Sequence, residues 1–222
     1  FMVDGMIICP CHYNENINEY LRLQDLGIPI VFYDRIPIGI NAPSVLVDDY
    51  REAFFIVEHL IRIGRKRIVY IQGPSYIYNS LDRAKGYKDA LSKFRIPIDD
   101  SLIIQTGMTF DDGRRVVETL FKNENPFDAI FSFTETLALG AMNYLLEKQV
   151  AIPREVAIAT FSGTIYSTIV YPQLTSVEQP LRKMGQMTAK LILEKIKNPS
   201  IPNKKIVLSS EIRLRASTKV DL

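Results

Sequence analysis

The stretch Ala53-Phe54-Phe55-Ile56-Val57-Glu58-His59-Leu60-Ile61-Arg62-Ile63-Gly64-Arg65-Lys66-Arg67-Ile68-Val69-Tyr70-Ile71-Gln72-Gly73-Pro74 decides the fold class. Ala53, Ile56, Val57, Leu60 and Ile61 recur at helical spacing and make one apolar stripe, which Gly64 closes. Ile68 to Ile71 then forms a short run of strand-favouring apolar residues, stopped by Gly73-Pro74. A helix followed by a buried strand, each ended by glycine, is the repeating unit of an α/β fold.

Working outward, the same alternation continues. Upstream, Met6 to Cys9, Pro29 to Tyr33 and Ser44 to Val47 read as strands, with Ile17, Tyr20 and Leu21 on a helix that ends at Gly27. Downstream, Tyr87, Ala90, Leu91 and Phe94 mark a helix, and Leu102 to Gln105 a strand. Asp111 is read as the N-cap of the next helix, which buries Val116, Val117, Leu120 and Phe121. A strand at Ala129 to Phe133 leads to a helix lined by Leu137, Ala138, Ala141 and Leu145, and Val156 to Ala159 is another strand. The helix over about 180–197 carries Leu181, Met184, Thr188, Leu191 and Ile192 on one face, and strands follow at Ile206 to Leu208 and Glu211 to Leu214. Strand-helix alternation at this spacing predicts mainly parallel sheets with helices on both faces. No linker divides the chain, so if there are two lobes the chain must cross between them.

Composition excludes several classes of function. At 222 residues and 47% apolar the chain can bury a real core. A net charge of +2 is too small to imply a nucleic-acid-binding surface on this segment. No apolar run reaches the roughly 18 residues of a membrane span. Residues 1–5, Phe-Met-Val-Asp-Gly, have neither the basic region nor the cleavage site of a signal peptide, and read like a strand already inside a domain whose upstream part is missing. Cys9 and Cys11 flank Pro10, where a disulfide would close a strained ring. With only His12 and His59 as histidines, a metal site lacks ligands, and thiols in a reducing cytoplasm are expected.

In open parallel sheets, ligands sit beyond the carboxyl ends of the strands. That rule selects Cys11 to Tyr13, Tyr33 to Arg35, Asp48-Asp49, Ser75 to Asn79, Thr106 to Thr109, Phe133 to Glu135 and Phe161 to Thr164. These residues suit a small polar molecule held between aromatic faces and hydrogen-bonding groups. Catalysis is not indicated. Gly73-Pro74-Ser75 is no phosphate loop, the chain has no Gly-x-Ser-x-Gly elbow, and His59 lies inside a helix beside its stripe. No cofactor is implied.

Several segments carry a resemblance: Val3-Asp4-Gly5-Met6-Ile7-Ile8, Gly27-Ile28-Pro29-Ile30-Val31 with Asp34-Arg35, and His59-Leu60-Ile61 followed by Gly64-Arg65-Lys66-Arg67-Ile68. Gly73-Pro74 with Arg83 and Gly86-Tyr87, Ala138-Leu139-Gly140-Ala141, Ile152-Pro153, Leu174-Thr175-Ser176-Val177, Met184-Gly185 and Arg213-Leu214-Arg215-Ala216-Ser217-Thr218 complete it. In this order the chain resembles the periplasmic-binding-protein-like core of LacI/GalR transcription regulators over nearly all its length. The resemblance implies a two-lobed hinged receptor with its ligand in the cleft between lobes. A first lobe of 1–47 and 178–206 and a second of 48–177 and 207–222 are expected. It also implies that a helix-turn-helix DNA-binding domain and the first elements of the first lobe are absent from this chain.

The same resemblance implies a ligand-contacting role for Arg83, whose fork can grip vicinal hydroxyls or a carboxylate. The plain alternative is a solvated arginine or a structural ion pair. Asp34 either accepts from ligand hydroxyls or caps a turn before Arg35. Tyr33, Tyr78 and Phe161 are stacking surfaces, and Asn79, Thr134 and Ser162 are polar contacts. Two departures bear on the ligand: Thr134-Glu135 stands where the family places Asn-Asp, and Ser162-Gly163 stands where it places an acidic residue. Those changes remove bidentate diol contacts, so the effector is a sugar or a related metabolite read in another way, a purine-like or acidic compound, or a signal from a partner protein.

The function implied is effector sensing by a cytoplasmic homodimeric regulator, with operator DNA bound through the missing domain and a dimer contact that includes the helix near residues 14–26. A solute-binding receptor of a transporter or sensor is the alternative within the fold, and a doubly wound enzyme the one outside it. No membrane partner is expected.

Overall fold

A computed structural model describes residues 3–219. In chain order the elements are β1 (Met6–Ile8), α1 (Ile17–Asp25), β2 (Ile30–Tyr33), β3 (Ser44–Val47), α2 (Asp49–Arg62), β4 (Ile68–Gln72), α3 (Tyr78–Lys93) and β5 (Ile103–Gln105). Then come α4 (Phe110–Lys122), β6 (Ala129–Ser132), α5 (Glu135–Glu147), β7 (Ala157–Phe161), α6 (Tyr166–Ile169), β8 (Thr175–Glu178), α7 (Leu181–Lys197), β9 (Lys205–Leu208) and β10 (Glu211–Arg213). The chain forms two compact units, one of residues 3–48, 76–78 and 180–210, the other of 49–75, 79–179 and 211–219.

The first unit holds a four-stranded parallel sheet in the order β1-β2-β3-β9. Its central strand β2 is apolar without alternation because both faces are covered. Val31 packs with Val45, Val47, Met184, Leu191, Ile192 and Leu208 on the α7 side. Ile30 and Phe32 point the other way, to Tyr20, Ile40 and Ala42, where the Tyr20 and Phe32 rings meet edge to face at 5.3 Å. β9 pairs with β3 along its whole length, Leu208 opposite Val47, so residues 207–210 stay with the first unit rather than joining the second as expected.

The second unit holds a six-stranded sheet, β10-β8-β7-β6-β4-β5, parallel except where β10 closes the edge against β8. Ile68, Val69, Tyr70 and Ile71 of β4 are wholly buried. Tyr70 lies between the rings of Tyr87 and Phe131, at 5.3 and 5.0 Å.

Several local expectations are corrected. Thr109, not Asp111, caps α4. Its hydroxyl accepts from Asp112 N at 3.2 Å, and the Asp112 carboxylate accepts in return from Thr109 N at 3.0 Å, a reciprocal capping box. Phe121 and Leu181 lie at the solvent side of their helices, 38% and 64% exposed. β8 lacks the apolar pattern of a buried strand because Thr175 and Ser176 interrupt it, yet both are fully buried. Their hydroxyls are paired inside: Thr175 Oγ1 accepts from Arg215 N at 2.8 Å, and Arg215 Nη1 donates to Ser176 Oγ at 2.8 Å. The four-residue α6 was likewise too short to show a period.

Candidate functional site

In the second unit the strand tips converge on Arg83. α3 begins at Tyr78, and one turn later presents Arg83 to the carboxyl ends of β6 and β7, with 4% of the residue exposed. Its Nε donates to Asp49 Oδ1 at 2.7 Å, Nη2 stands 2.7 Å from the same oxygen, and Nη1 donates to the Phe133 carbonyl at 2.7 Å. The guanidinium plane is covered by aromatic rings, Phe161 at 3.5 Å and Phe133 at 4.5 Å from their centroids. Asp49 opens α2, where the helix N-terminus favours a carboxylate. A desolvated arginine between two rings, with a carboxylate at its edge, ties the ends of β6 and β7 to the start of α2.

The two departures in the sequence meet in space. Thr134 caps α5 through its side chain, accepting from Leu137 N at 3.4 Å, and Glu135 points into the loop after β7. The Glu135 carboxylate accepts from Thr164 N at 2.9 Å and Ser167 N at 2.8 Å, and from both their hydroxyls. Four donors hold this buried charge, so it serves the loop rather than an open site. Gly163 has no room for a side chain, because an added Cβ would lie 2.1 Å from Ser176 Oγ. Ser162 before it has φ of +61° and donates to Gln179 Oε1 at 3.4 Å.

In the first unit, Asp34 follows β2 with φ of +61°, a left-handed conformation that Asp tolerates better than most residues. Its carboxylate lies 3.3 Å from Arg35 Nε and accepts from the Cys9 thiol at 3.9 Å. Burial pushes the Cys9 thiol up to about 11, Asp34 adds to the shift, and Arg35 opposes it. Asp34 therefore pairs with the Arg35 side chain that follows it. Tyr33 is 38% exposed. Tyr78 meets the edge of Tyr13 at 6.5 Å, beside a stack of His12 on Tyr76 at 4.6 Å.

Of the residues singled out from sequence, Arg83 and Phe161 are in direct contact, with Thr134 and Ser162 each adjoining a ring that covers Arg83. Asn79 is buried near the start of α3, and Tyr33 and Asp34 stand together in the first unit. The strand-end rule selects Asp49, Phe133 and Glu135 without assigning any of them a ligand contact, and the structure places the first two against Arg83 and the third in the loop after β7. His59 is spent on Thr218, with Nε2 2.9 Å from its Oγ1, and burial lowers its pKa. Among the described residues no group of three or more His, Cys, Asp and Glu side chains is placed to hold a metal ion, and no helix is long and apolar enough to cross a membrane.

The profile of the periplasmic binding protein-like domain matches residues 57–218. Catabolite control protein A of Priestia megaterium is 32% identical over 98% of this chain and 65% of its own. Among solved structures, the transcriptional regulator CelR in complex with cellobiose superposes with a TM-score of 0.89 at 26% identity, over 97% of this chain and 66% of that one. A LacI family regulator from Enterococcus faecium with bound ribose gives 0.87 at 27%, over 97% and 79%. The chain spans less than two thirds of the length of the first curated relatives it matches, 65% and 64%.

Proposed function

The chain belongs to the periplasmic binding protein-like family, matching the effector-binding core of LacI-type regulators, and on that premise we propose that it senses a small effector and thereby controls transcription. The observation that carries this reading is the likeness to such regulators along nearly the whole chain, in sequence and in fold. The effector, a sugar or related metabolite, is held by residues at the strand ends and in the segments after them. Tyr33, Asp34 and Tyr78 serve from the first unit, and Asn79, Arg83, Thr134, Phe161 and Ser162 from the second.

Arg83 has five N–H donors. Three are directed at Asp49 and Phe133, which leaves one on each terminal nitrogen for a ligand's hydroxyls or carboxylate. The signal is a difference in affinity. An effector that binds one conformation more tightly shifts the population towards it, and the operator affinity follows. Operator DNA is bound by a segment outside this chain, in a homodimer whose symmetry suits a palindromic site. The regulator works in the cytoplasm and catalyses no reaction. In support, the buried Glu135 carboxylate is occupied in holding a loop, through Thr164 and Ser167.

A thermal-shift screen of the full-length protein against sugars, sugar acids, nucleobases and phosphorylated sugars tests the reading. A ligand at a hundred times its Kd adds about 2.7 kcal/mol of stability, and that ligand is expected to change the affinity for an operator fragment. Binding that leaves operator affinity unchanged, or no binding by any class, would overturn it.

A further inference from the structure

The second unit has a cavity of about 510 Å³ lined by residues from Lys66 to Leu102. It lies at the opposite end of the sheet from Arg83: Lys66 and Arg67 precede β4, Asp99 and Leu102 precede β5, and Leu91 and Phe94 come from the end of α3. The volume falls within the range of small-molecule sites, roughly 300–1,000 Å³. We infer that this cavity is a second ligand site, built for a small anion with a flat apolar body, such as an aromatic carboxylate or an aryl phosphate.

The floor supplies the apolar half of that match. Ile68, Leu91 and Leu102 are almost fully buried beneath it. The Tyr87 hydroxyl donates to the Ile68 carbonyl at 2.7 Å, so this residue offers the cavity ring surface rather than a free hydroxyl. Phe94 adds a second ring, over which Arg62 and Lys93 lie at 5.4 and 5.7 Å.

Charge supplies the other half. Three cations, Lys66, Arg67 and Arg95, line the cavity against one carboxylate, Asp99. Arg67 and Asp99 answer each other at 3.2 Å, and Arg67 is further held by the Pro126 carbonyl at 2.6 Å and Asn125 Oδ1 at 2.9 Å. Among the described residues the Lys66 ammonium and the Arg95 guanidinium have neither a hydrogen bond nor an ion pair. They are not needed to complete the end of α3 either. Its last carbonyls accept from backbone N–H groups, Leu91 from Ile96 at 3.0 Å and Ser92 from Arg95 at 3.0 Å. Two uncommitted cations at the mouth of an apolar cavity select an amphipathic anion over a neutral compound of the same shape.

The test titrates benzoate and phenyl phosphate, with benzyl alcohol as the neutral counterpart, into the protein while following the methyl signals of Leu91 and Leu102. Both anions are expected to move these signals and to bind at least tenfold more tightly than the alcohol. The Lys66→Glu, Arg95→Glu double variant should lose at least tenfold in anion affinity while keeping its melting temperature, and Arg83→Lys should bind the probes as the parent does. That last arm separates this site from the one at the strand tips. Unmoved methyl signals at millimolar probe, equal binding of anion and alcohol, or unchanged affinity in the double variant would each overturn the inference.

Discussion

Arg83 and Asp49 form an ion pair at 2.7 Å with only 4% and 6% of the two side chains exposed. Two charges withdrawn from water to this degree depend on each other. Removing one partner of a buried pair costs about 3–5 kcal/mol, because the remaining charge stays desolvated. Arg83→Ala is therefore expected to lower the unfolding free energy by about that amount in urea titration, and to loosen Phe133 and Phe161, which lose the cation between them. Arg83→Lys keeps the charge but cannot reach Asp49 and the Phe133 carbonyl together, so an intermediate loss is expected. A change below about 1 kcal/mol for the alanine variant would mean that the pair is open to water in solution.

How much of this was legible in advance follows from the physics of each part. The parallel α/β class was readable because apolar periodicity and glycine punctuation are local signals, as in 53–74. β8 escaped because its pattern depends on hydroxyls whose partners, Arg215 and Thr218, lie about 40 residues downstream. Arg83 could be picked as important from sequence, but not its covering by Phe161, which comes from a strand 78 residues away in the chain and is a product of topology. Glu135 looked like a substitution at a ligand position. Its four donors come from a loop whose conformation no local pattern announces.

Two helical glycines make a contrasting pair. Gly140 on α5 faces α4 so closely that an added Cβ would stand 1.9 Å from the Phe110 carbonyl oxygen and 2.8 Å from Arg114 N. Both are backbone atoms, so no side chain can rotate away, and the helices must separate. Gly140→Ala is expected to destabilise by at least about 1–3 kcal/mol, the usual penalty of overpacking. Gly185 on α7 has nothing within 4 Å of the same atom. There the alanine only reduces the freedom of the unfolded chain and is expected to stabilise by roughly 0.5–1 kcal/mol. Paired denaturant melts check both, and the same sign for the two variants would contradict the packing seen between α4 and α5.

His59 gives stability a dependence on pH. It lies on α2 with Nε2 2.9 Å from Thr218 Oγ1, which is 2.7 Å from Thr175 Oγ1. Burial lowers its pKa from the ordinary 6.5, so the unfolded chain takes up the proton more readily than the folded one. The neutral imidazole's contribution is whole above that ordinary value and is withdrawn as pH falls through it towards the folded-state value. Glu58 and Asp112, held low chiefly by side-chain hydrogen bonds from Arg62 and Thr109, lose theirs only when carboxylates begin to protonate. A first fall in melting temperature is therefore expected between about pH 7 and 5, ahead of the acid limb. His59→Gln should flatten it. Parallel profiles for parent and variant across that interval would remove His59 from the account.

The two thiols are expected to differ sharply in reactivity although one residue separates them. Cys11 is exposed, while Cys9 is half-buried beside Asp34. The thiolate is the reacting form. With its pKa pushed up to about 11, chiefly by burial and then by the Asp34 carboxylate, Cys9 holds only about one thiolate per thousand at pH 8. Iodoacetamide at that pH should modify Cys11 first, and peptide mass spectrometry should find Cys9 at least about tenfold slower. Asp34→Asn removes the nearby negative charge and should speed Cys9, whereas Arg35→Ala removes the one opposing cation and should slow it further. Equal rates for both cysteines in the folded protein would show that the Cys9 thiol is neither shielded nor held near the Asp34 carboxylate.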